Sequence, residues 1–460
     1  MGLLEKWVGV QNCELARQVS LPGLQGKVFR NTLQFLLRSE RWTGNEHERY
    51  QLEKTRQLLQ HCYDDVPYYR NSFDRLKFHP SDFKSLADLR ALPMLDKMAV
   101  EENLKDLVAR NISQRRLRYY TTGGSTGIPM GFYLDRNYTD AARNAFFCRM
   151  WGWIGYRDYE RGVIVRGAVI KSKDPVPQKR SLLDNKLYVS SYNLKEECIP
   201  AVHDLLLRYR PVSIQAYPSA ITQIAQVMIE KQLPPVPSLR VILCGSENLY
   251  AWQRELLQRA FGCRIFSWYG HSENVLLAGE CEKGSEYHCF SEHGVFELVR
   301  PDGSVIENAN EVGEIVGTGF INDAMPFVRY RTGDMASYAE GPCPCGRAYR
   351  RFSRIEGRLQ ELMVTADGRY ISMTAINMHS DLFDNVKQFQ FVQDVPGKIE
   401  MRIIRKPSYT DRDSVRILQE MKHKMGQDMA VDLVFVDDIP LTARGKHRFL
   451  LQHLNVQFTD

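Results

Sequence analysis

Thr121-Thr122-Gly123-Gly124-Ser125-Thr126-Gly127 is the stretch whose reading decides the rest of this 460-residue chain. Three glycines and four hydroxyl residues in seven positions let backbone N–H groups converge on anionic oxygens, with Ser and Thr side chains adding donors. No Gly-Lys-Ser/Thr closes the loop, so it does not follow the Walker pattern. Its flanks read as strands, 117–120 before and 130–134 after, whereas a Walker loop leads from a strand into a helix. Taken alone, the seven residues also fit a flexible hairpin turn.

Outward from the loop, residues 46–65 carry Tyr50, Leu52, Leu58, Leu59 and Cys62 among charges, the pattern of an amphipathic helix ended at Val66-Pro67. Leu92-Pro93-Met94-Leu95 reads as a loop, and Asn103 to Val108 as a short helix. A helix rich in aromatics is expected over 139–151. Strand-like segments at 163–165, 213–216, 241–243 and 264–266 alternate with helical stretches at 196–209, 219–231 and 250–260. This alternation predicts α/β layers with substantial parallel pairing. Residues 294–340 predict antiparallel strands joined by Gly and Asp/Asn turns such as Pro301-Asp302-Gly303. The expected fold class is α/β: a large N-terminal domain of layered sheets and helices over 1–356, and a smaller mobile α+β domain over 357–460.

A hydrophobic share of 43% with 25% charged residues belongs to a soluble globular chain. No apolar run reaches the ~18 residues of a membrane span. The opening Met1-Gly2-Leu3-Leu4-Glu5-Lys6 lacks the basic-then-apolar pattern of a signal peptide, so a cytoplasmic protein is expected. The basic clusters Arg115-Arg116-Leu117-Arg118 and 347–354 come without a nucleic-acid-binding motif, and a net charge of +6 is mild at this length. No nucleic-acid partner is expected. The ten cysteines are scattered, so reduced thiols are expected and any clustered ones need another explanation.

Four further motifs follow the loop. They are Tyr269-Gly270-His271-Ser272-Glu273, Tyr330-Arg331-Thr332-Gly333-Asp334, Gly357-Arg358, and Pro440-Leu441-Thr442-Ala443-Arg444-Gly445-Lys446. With Gly124-Ser125-Thr126-Gly127-Ile128-Pro129 they resemble, in kind and order, the motifs of the adenylate-forming superfamily of acyl- and aryl-CoA synthetases, peptide-synthetase adenylation domains and luciferases. Val66-Pro67-Tyr68-Tyr69-Arg70, Tyr217-Pro218-Ser219 and Gly341-Pro342-Cys343-Pro344-Cys345-Gly346-Arg347 look most like the phenylacetate–CoA ligase group, particularly its capsular-polysaccharide-biosynthesis branch.

The resemblance implies ATP- and Mg²⁺-dependent activation of a carboxylic acid as an acyl-AMP. Joining a carboxylate to a phosphate brings two anions together, so a cation must bridge them in the transition state. Lys446 matches the lysine that does this, and Glu273 the Mg²⁺-associated carboxylate. Asp334 matches the acceptor of both ribose hydroxyls, and Arg358 a contact to ribose or phosphate. Thr121 to Gly127 would hold the phosphates. Ser246-Glu247-Asn248 and Tyr269-Gly270-His271-Ser272 resemble the segments beside adenine.

The acyl pocket of relatives is lined by the segments that here carry Trp151, Trp153, Tyr217, Trp268 and His271. Arg166 stands where it could meet a polar or second acidic group. The sequence departs from its relatives at Met130, where many carry Lys, and at Gln360-Glu361, which leaves the hinge residue open. Ala366-Asp367-Gly368-Arg369 is not the glycine-rich stretch beside a pantetheine tunnel. The expected acceptor is therefore an amine, plausibly on a sugar or nucleotide-sugar, with CoA as the alternative. Cys281, His288, Cys343 and Cys345 make a Cys₃His set suited to a structural zinc ion, with Cys289 able to replace one ligand and buried reduced thiols beside a turn at Cys345-Gly346 as the alternative.

Overall fold

The computed structural model describes residues 24–121, 130–157, 160–166, 170, 176, 178–182, 185–191, 194, 196–358, 362–366, 370–372, 381–383, 385–426, 429–441 and 447–454. The chain enters through three helices, α1 (Leu24–Ser39), α2 (Gly44–Asp65) and α3 (Pro67–Leu76). Thr43 and Glu46 close α2 with a reciprocal capping box, and Pro67 sits in the first turn of α3, where its missing N–H costs nothing.

The short helix expected at Asn103 to Val108 lies earlier, as α4 (Lys97–Glu102), and 103–108 is turn. The cause is local. Asp96 accepts the Ala99 N–H at 2.8 Å and starts the helix, and the Asn103 side chain donates to the Ala99 carbonyl at 2.8 Å and ends it.

Strands β1 (Leu117–Thr121) and β2 (Gly131–Asp135) pair as an antiparallel hairpin whose tip is the loop 122–129. Those eight residues, which carry most of the candidate phosphate loop, lie outside the described residues. Helix α5 (Thr139–Gly152) follows. Then come β3 (Gly162–Arg166), β4 (Gln178–Ser181), β5 (Lys186–Ser190), α6 (Ile199–Tyr209), β6 (Ser213–Ala216), α7 (Pro218–Glu230), β7 (Val241–Cys244), α8 (Ala251–Phe261) and β8 (Arg264–Gly270). β5, β3, β6, β7 and β8 pair in parallel in that spatial order. Their continuous runs of Val, Ile and Leu are what a sheet covered on both faces requires.

The same sheet continues antiparallel through β9 (Leu277–Glu280), β10 (Tyr287–Cys289), β11 (Gly294–Val299), β12 (Val305–Ile306), β13 (Val312–Gly319), β14 (Tyr330–Tyr338) and β15 (Arg351–Arg358). Among the described residues it has 13 strands, in the order β12-β11-β13-β14-β15-β10-β9-β8-β7-β6-β3-β5-β4. β8 is the junction, parallel to β7 on one side and antiparallel to β9 on the other.

Beyond β15 the hairpin β16 (Leu362–Val364) and β17 (Tyr370–Ser372) precedes a separate four-stranded sheet. That sheet is built from β18 (Val386–Val395), β19 (Lys398–Arg405), β20 (Ala430–Phe435) and β21 (Leu450–Gln452), with α9 (Asp411–Met425) packed on it. The chain is thus a mixed α/β protein with a large sheet-rich N-terminal region and a smaller C-terminal domain. The small sheet meets the large region at α8, where Tyr250 and Trp252 contact Phe449 edge-on at 5.4 and 5.8 Å. Lys387–Glu196 and Lys406–Glu230 ion pairs also join the small sheet to the large region, at 2.8 and 3.4 Å. No helix among the described residues is long and apolar enough to cross a membrane.

Candidate active site

Two sequence motifs meet at the junction strand. Tyr269, on β8, donates its hydroxyl to Asp334 Oδ2 at 2.9 Å, and Tyr330, on β14, donates to Glu273 Oε1 at 3.1 Å. The residues of Tyr330-Arg331-Thr332-Gly333-Asp334 divide the work of holding this geometry. Arg331 clamps Glu314 with Nε and Nη2 at 2.9 and 2.7 Å. Thr332 Oγ1 donates to the Ile315 carbonyl and accepts the Asp334 N–H. Gly333 has φ +72°, a conformation that side chains other than glycine resist. The register jumps here: Glu314 opposes Met335 and Val316 opposes Arg331, so three β14 residues face one on β13. The bulge swings Asp334 toward Tyr269.

Met130, the first described residue after the loop 122–129, is fully buried, and its sulfur lies 3.8 Å from the Tyr330 hydroxyl. The position that carries Lys in many relatives is thus part of the packing here. The other foot of the loop, Thr121, pairs with Gly131. Asp140 ties this hairpin to α5: it accepts from Tyr120 at 3.1 Å and pairs with Arg143 at 2.8 Å and Arg118 at 3.9 Å. Burial, and then the Asp140 carboxylate, pushes the Tyr120 hydroxyl up to about 12.

Glu273 is buried, and its second oxygen lies 3.7 Å from His271 Nδ1. Among the described residues, neither ring nitrogen of His271 has a hydrogen-bond partner, nor has Asn248 Nδ2. Glu247 is engaged: it accepts from Ser219 N and Oγ at 2.9 and 3.1 Å and so fixes the start of α7. Ser246 sits at φ +68°, turning the chain sharply off the end of β7. Gly270 ends β8, and Ser272 lies exposed just beyond it.

The register Val165–Ala216–Cys244–Ser267 runs across β3, β6, β7 and β8. One step further along each strand come Arg166, Tyr217, Gly245 and Trp268, at the carboxyl edge where open parallel sheets bind ligands. A Cβ at Gly245 would fall 2.3 Å from the Trp268 indole, so that ring lies across the end of β7. Phe147 and Trp151, one turn apart on α5, pack on Trp268 with centroids 5.7 and 5.4 Å away. Trp153 departs from this group. Two residues past Trp151 on the same helical turn, it faces elsewhere, against His288 at 5.6 Å, with the Arg347 guanidinium 4.0 Å over its ring.

The junction strand is braced from below by Glu280, which accepts the Ser267 N–H at 2.9 Å and pairs with Arg254 on α8. Burial pushes the Glu280 carboxyl up to about 7, with Arg254 opposing.

Cys281, His288, Cys343 and Cys345 bring their ligating atoms within 4.8 Å of one another, a group able to hold a metal ion. Cys281 Sγ accepts the Lys283 N–H at 3.3 Å, and Cys345 Sγ accepts the Arg347 N–H at 3.4 Å. These donors favour thiolates, against burial, which pushes the Cys281 thiol up to about 12. Burial and the neighbouring Arg347 charge push His288 down to about 4, which keeps the imidazole neutral, as a ligand requires. The cluster follows closely in sequence on both partners of the Tyr269–Asp334 contact, Cys281 coming just after β9, His288 on β10, and Cys343 and Cys345 in the turn between β14 and β15.

A buried polar network beside this cluster gave no sequence signal. Glu292 accepts from Ser39 at 2.5 Å and Tyr349 at 2.7 Å, and Arg149 donates to Tyr349 at 2.6 Å. Its members are single polar residues on separate elements, joined only by the fold. Lys446 lies outside the described residues, as do Thr122 to Gly127 and Gln360-Glu361; of Arg358 the backbone alone is described, opposite Asp334.

Comparison with known proteins sets this geometry in a family. Residues 363–453 match the CapK C-terminal domain. Protein CapK of Staphylococcus aureus is 24% identical over 387 residues, covering 80% of this chain and 81% of that protein. The phenylacetate-coenzyme A ligase of Escherichia coli (strain K12) is 27% identical over 336 residues, covering 70% and 73%. In structure, a 2-hydroxyisobutyryl-CoA ligase in its postadenylation state with 2-HIB-AMP superposes with a TM-score of 0.74 at 19% identity, over 90% of this chain and 91% of that one. Over most of its length the chain is thus similar to CapK and to phenylacetate-coenzyme A ligases, and it has the fold of a 2-hydroxyisobutyryl-CoA ligase.

Proposed function

We propose that the protein activates a carboxylic acid with ATP and passes the acyl group to an amine. In the first step a carboxylate oxygen attacks the α-phosphorus of ATP. The new P–O bond forms as the bond to the β-phosphate oxygen breaks, giving acyl-AMP and pyrophosphate. In the second step the amine nitrogen attacks the acyl carbon, AMP leaves with the bonding pair, and the nitrogen's proton passes to solvent. The observation that carries this reading is the meeting of Tyr269 with Asp334 and of Tyr330 with Glu273, next to the foot of the loop 122–129. Asp334 would accept the ribose hydroxyls, the loop would take the phosphates, and Ser246 to Asn248 with Tyr269 to Ser272 would border adenine.

Lys446 would bridge carboxylate and α-phosphate, and Arg358 would contact ribose or phosphate close to the change of domain at about 357. Glu273 fits Mg²⁺ by its hard carboxylate oxygens, and the ion would neutralise phosphate charge there. Zinc fits the three thiols and neutral imidazole of Cys281, Cys343, Cys345 and His288, and in a closed four-ligand site it would brace β9, β10 and the turn before β15.

The amine is favoured by the CapK relationship and by Ala366-Asp367-Gly368-Arg369, which lacks the glycine run of a pantetheine path. An amine on a sugar or nucleotide-sugar fits a polysaccharide setting in the cytoplasm. A second reading, transfer to CoA, is favoured by the phenylacetate-coenzyme A ligase relatives. The deciding experiment supplies ATP, the cognate acid and either CoA or amino-sugar nucleotides, and identifies products by mass. Amide is the expected product. Efficient acyl-CoA formation with no amide from any amine selects the second reading.

A further inference from the structure

Arg166 ends β3 at the carboxyl edge of the parallel strands, opposite Ser190 on β5 and next to Tyr217 at the end of β6. Its Nε is sealed from solvent, and among the described residues it has no hydrogen-bond partner and no carboxylate pairs with its guanidinium. Among the described residues, the charged group that bears on it is another cation, Arg143 on α5, while Tyr217 and Tyr188 favour its charge. Arg143 itself is committed to Asp140 at 2.8 Å. Arg166 is half-buried, and sealing even part of a guanidinium from water without a counter-ion is unfavourable, so native proteins pair such groups.

The arginine stands on the same face as the aromatic wall. Arg166, Tyr217 and Trp268 occupy one register row of the sheet, and neighbouring parallel strands point residues of one row to the same side. Arg143, Phe147 and Trp151 recur at intervals of four on α5, so one helix face covers that row. Trp151 Nε1, on this face, and both nitrogens of His271 likewise lack partners among the described residues. A crevice for a plain aryl or alkyl acid would place only apolar groups here. This sheet edge carries, among the described residues, a cation without a carboxylate partner at one end and the nucleotide motifs of β8 and β14 at the other.

We propose that the acid activated by this protein carries a second anionic group, a second carboxylate in the simplest case, which Arg166 receives while the first carboxylate meets ATP. Arg166 is then a residue that determines specificity. The proposal rests on the acyl-AMP reading of the site and deepens it by naming the substrate class.

The test measures acid-dependent pyrophosphate release on matched pairs: butyrate against succinate, pentanoate against glutarate, and phenylacetate against its carboxy-substituted analogues. Thermal stabilisation by ATP alone is recorded in parallel. The wild type is expected to favour the diacid of at least one pair by on the order of 10²-fold in kcat/KM. Arg166→Gln is expected to abolish that preference chiefly through KM and to leave stabilisation by ATP unchanged, while Arg166→Lys restores part of the preference. Equal or better turnover of the monoacid in every pair overturns the proposal while leaving adenylation intact. A diacid preference that survives Arg166→Gln overturns it too, as does stabilisation by ATP with no turnover of any acid. Absence of both stabilisation by ATP and turnover of any acid would overturn the acyl-AMP reading itself, and the proposal with it.

Discussion

Tyr269 and Asp334, 65 residues apart, are joined at 2.9 Å across the point where the parallel half of the large sheet becomes antiparallel. The hydroxyl donates to one carboxylate oxygen and so fixes the rotation of the group proposed to accept the ribose. A hydrogen bond to a charged group is worth about 1.5–3 kcal/mol. Tyr269→Phe is therefore expected to raise KM for ATP on the order of ten-fold or more with a smaller change in kcat, read by steady-state pyrophosphate release. An unchanged KM would show that Asp334 does not need this donor.

Lys446→Ala is expected to lower acyl-AMP formation by on the order of 10²–10³ and to spare transfer from supplied acyl-AMP. In the proposed role the lysine's charge matters only while carboxylate and α-phosphate converge. Separate assays of the two half-reactions distinguish this from a general loss of activity. Equal loss in both halves contradicts the role.

His447, next to that lysine, is built to stay neutral. Its Nε2 donates to the Phe389 carbonyl at 3.0 Å, and Nδ1 accepts from Gln388 Nε2 at 2.9 Å. Burial pushes it from 6.5 down to about 4, and burial lowers His293 to about 3. The unfolded chain gains these protons near 6.5 and the folded chain only at the lower values. Stability from these groups is thus complete above about pH 6.5 and falls as pH drops toward 4, by up to about 1.4 kcal/mol per unit per group. NMR titration of the imidazoles, with thermal melts at pH 7.5 and 5, checks this. Imidazoles titrating near 6.5 with an unchanged melt would contradict it.

One zinc per chain is expected in protein purified under reducing conditions. Cys343→Ser with Cys345→Ser is expected to lower the melting temperature far more than it alters acid activation, because a closed four-ligand site has no open position for chemistry. Metal analysis without zinc, together with an unchanged melt in the double variant, would sink this assignment.

Much of the architecture was legible because local signals agreed. The apolar runs at 163–165, 213–216, 241–243 and 264–266 became β3, β6, β7 and β8, and the helices between them follow the expected spacing. Capping chemistry overrode pattern at Asp96, which starts a helix before the segment that looked helical. The union of the parallel and antiparallel strands into one sheet was not legible, because β15 pairs with β10 across some sixty residues and such pairings leave no local trace. The same holds for Arg149, Tyr349, Glu292 and Ser39, whose partners come from different elements. Four cysteine and histidine positions were legible as a set only because few other residue types compete for that chemistry.

Acid-dependent exchange of labelled pyrophosphate into ATP tests the central claim most directly. With a cognate acid present, the wild-type protein should catalyse exchange, release AMP on turnover with acceptor, and yield an acyl-AMP detectable by mass when acceptor is withheld. Release of ADP and phosphate in place of AMP and pyrophosphate, or exchange that does not depend on any carboxylic acid, would contradict the account.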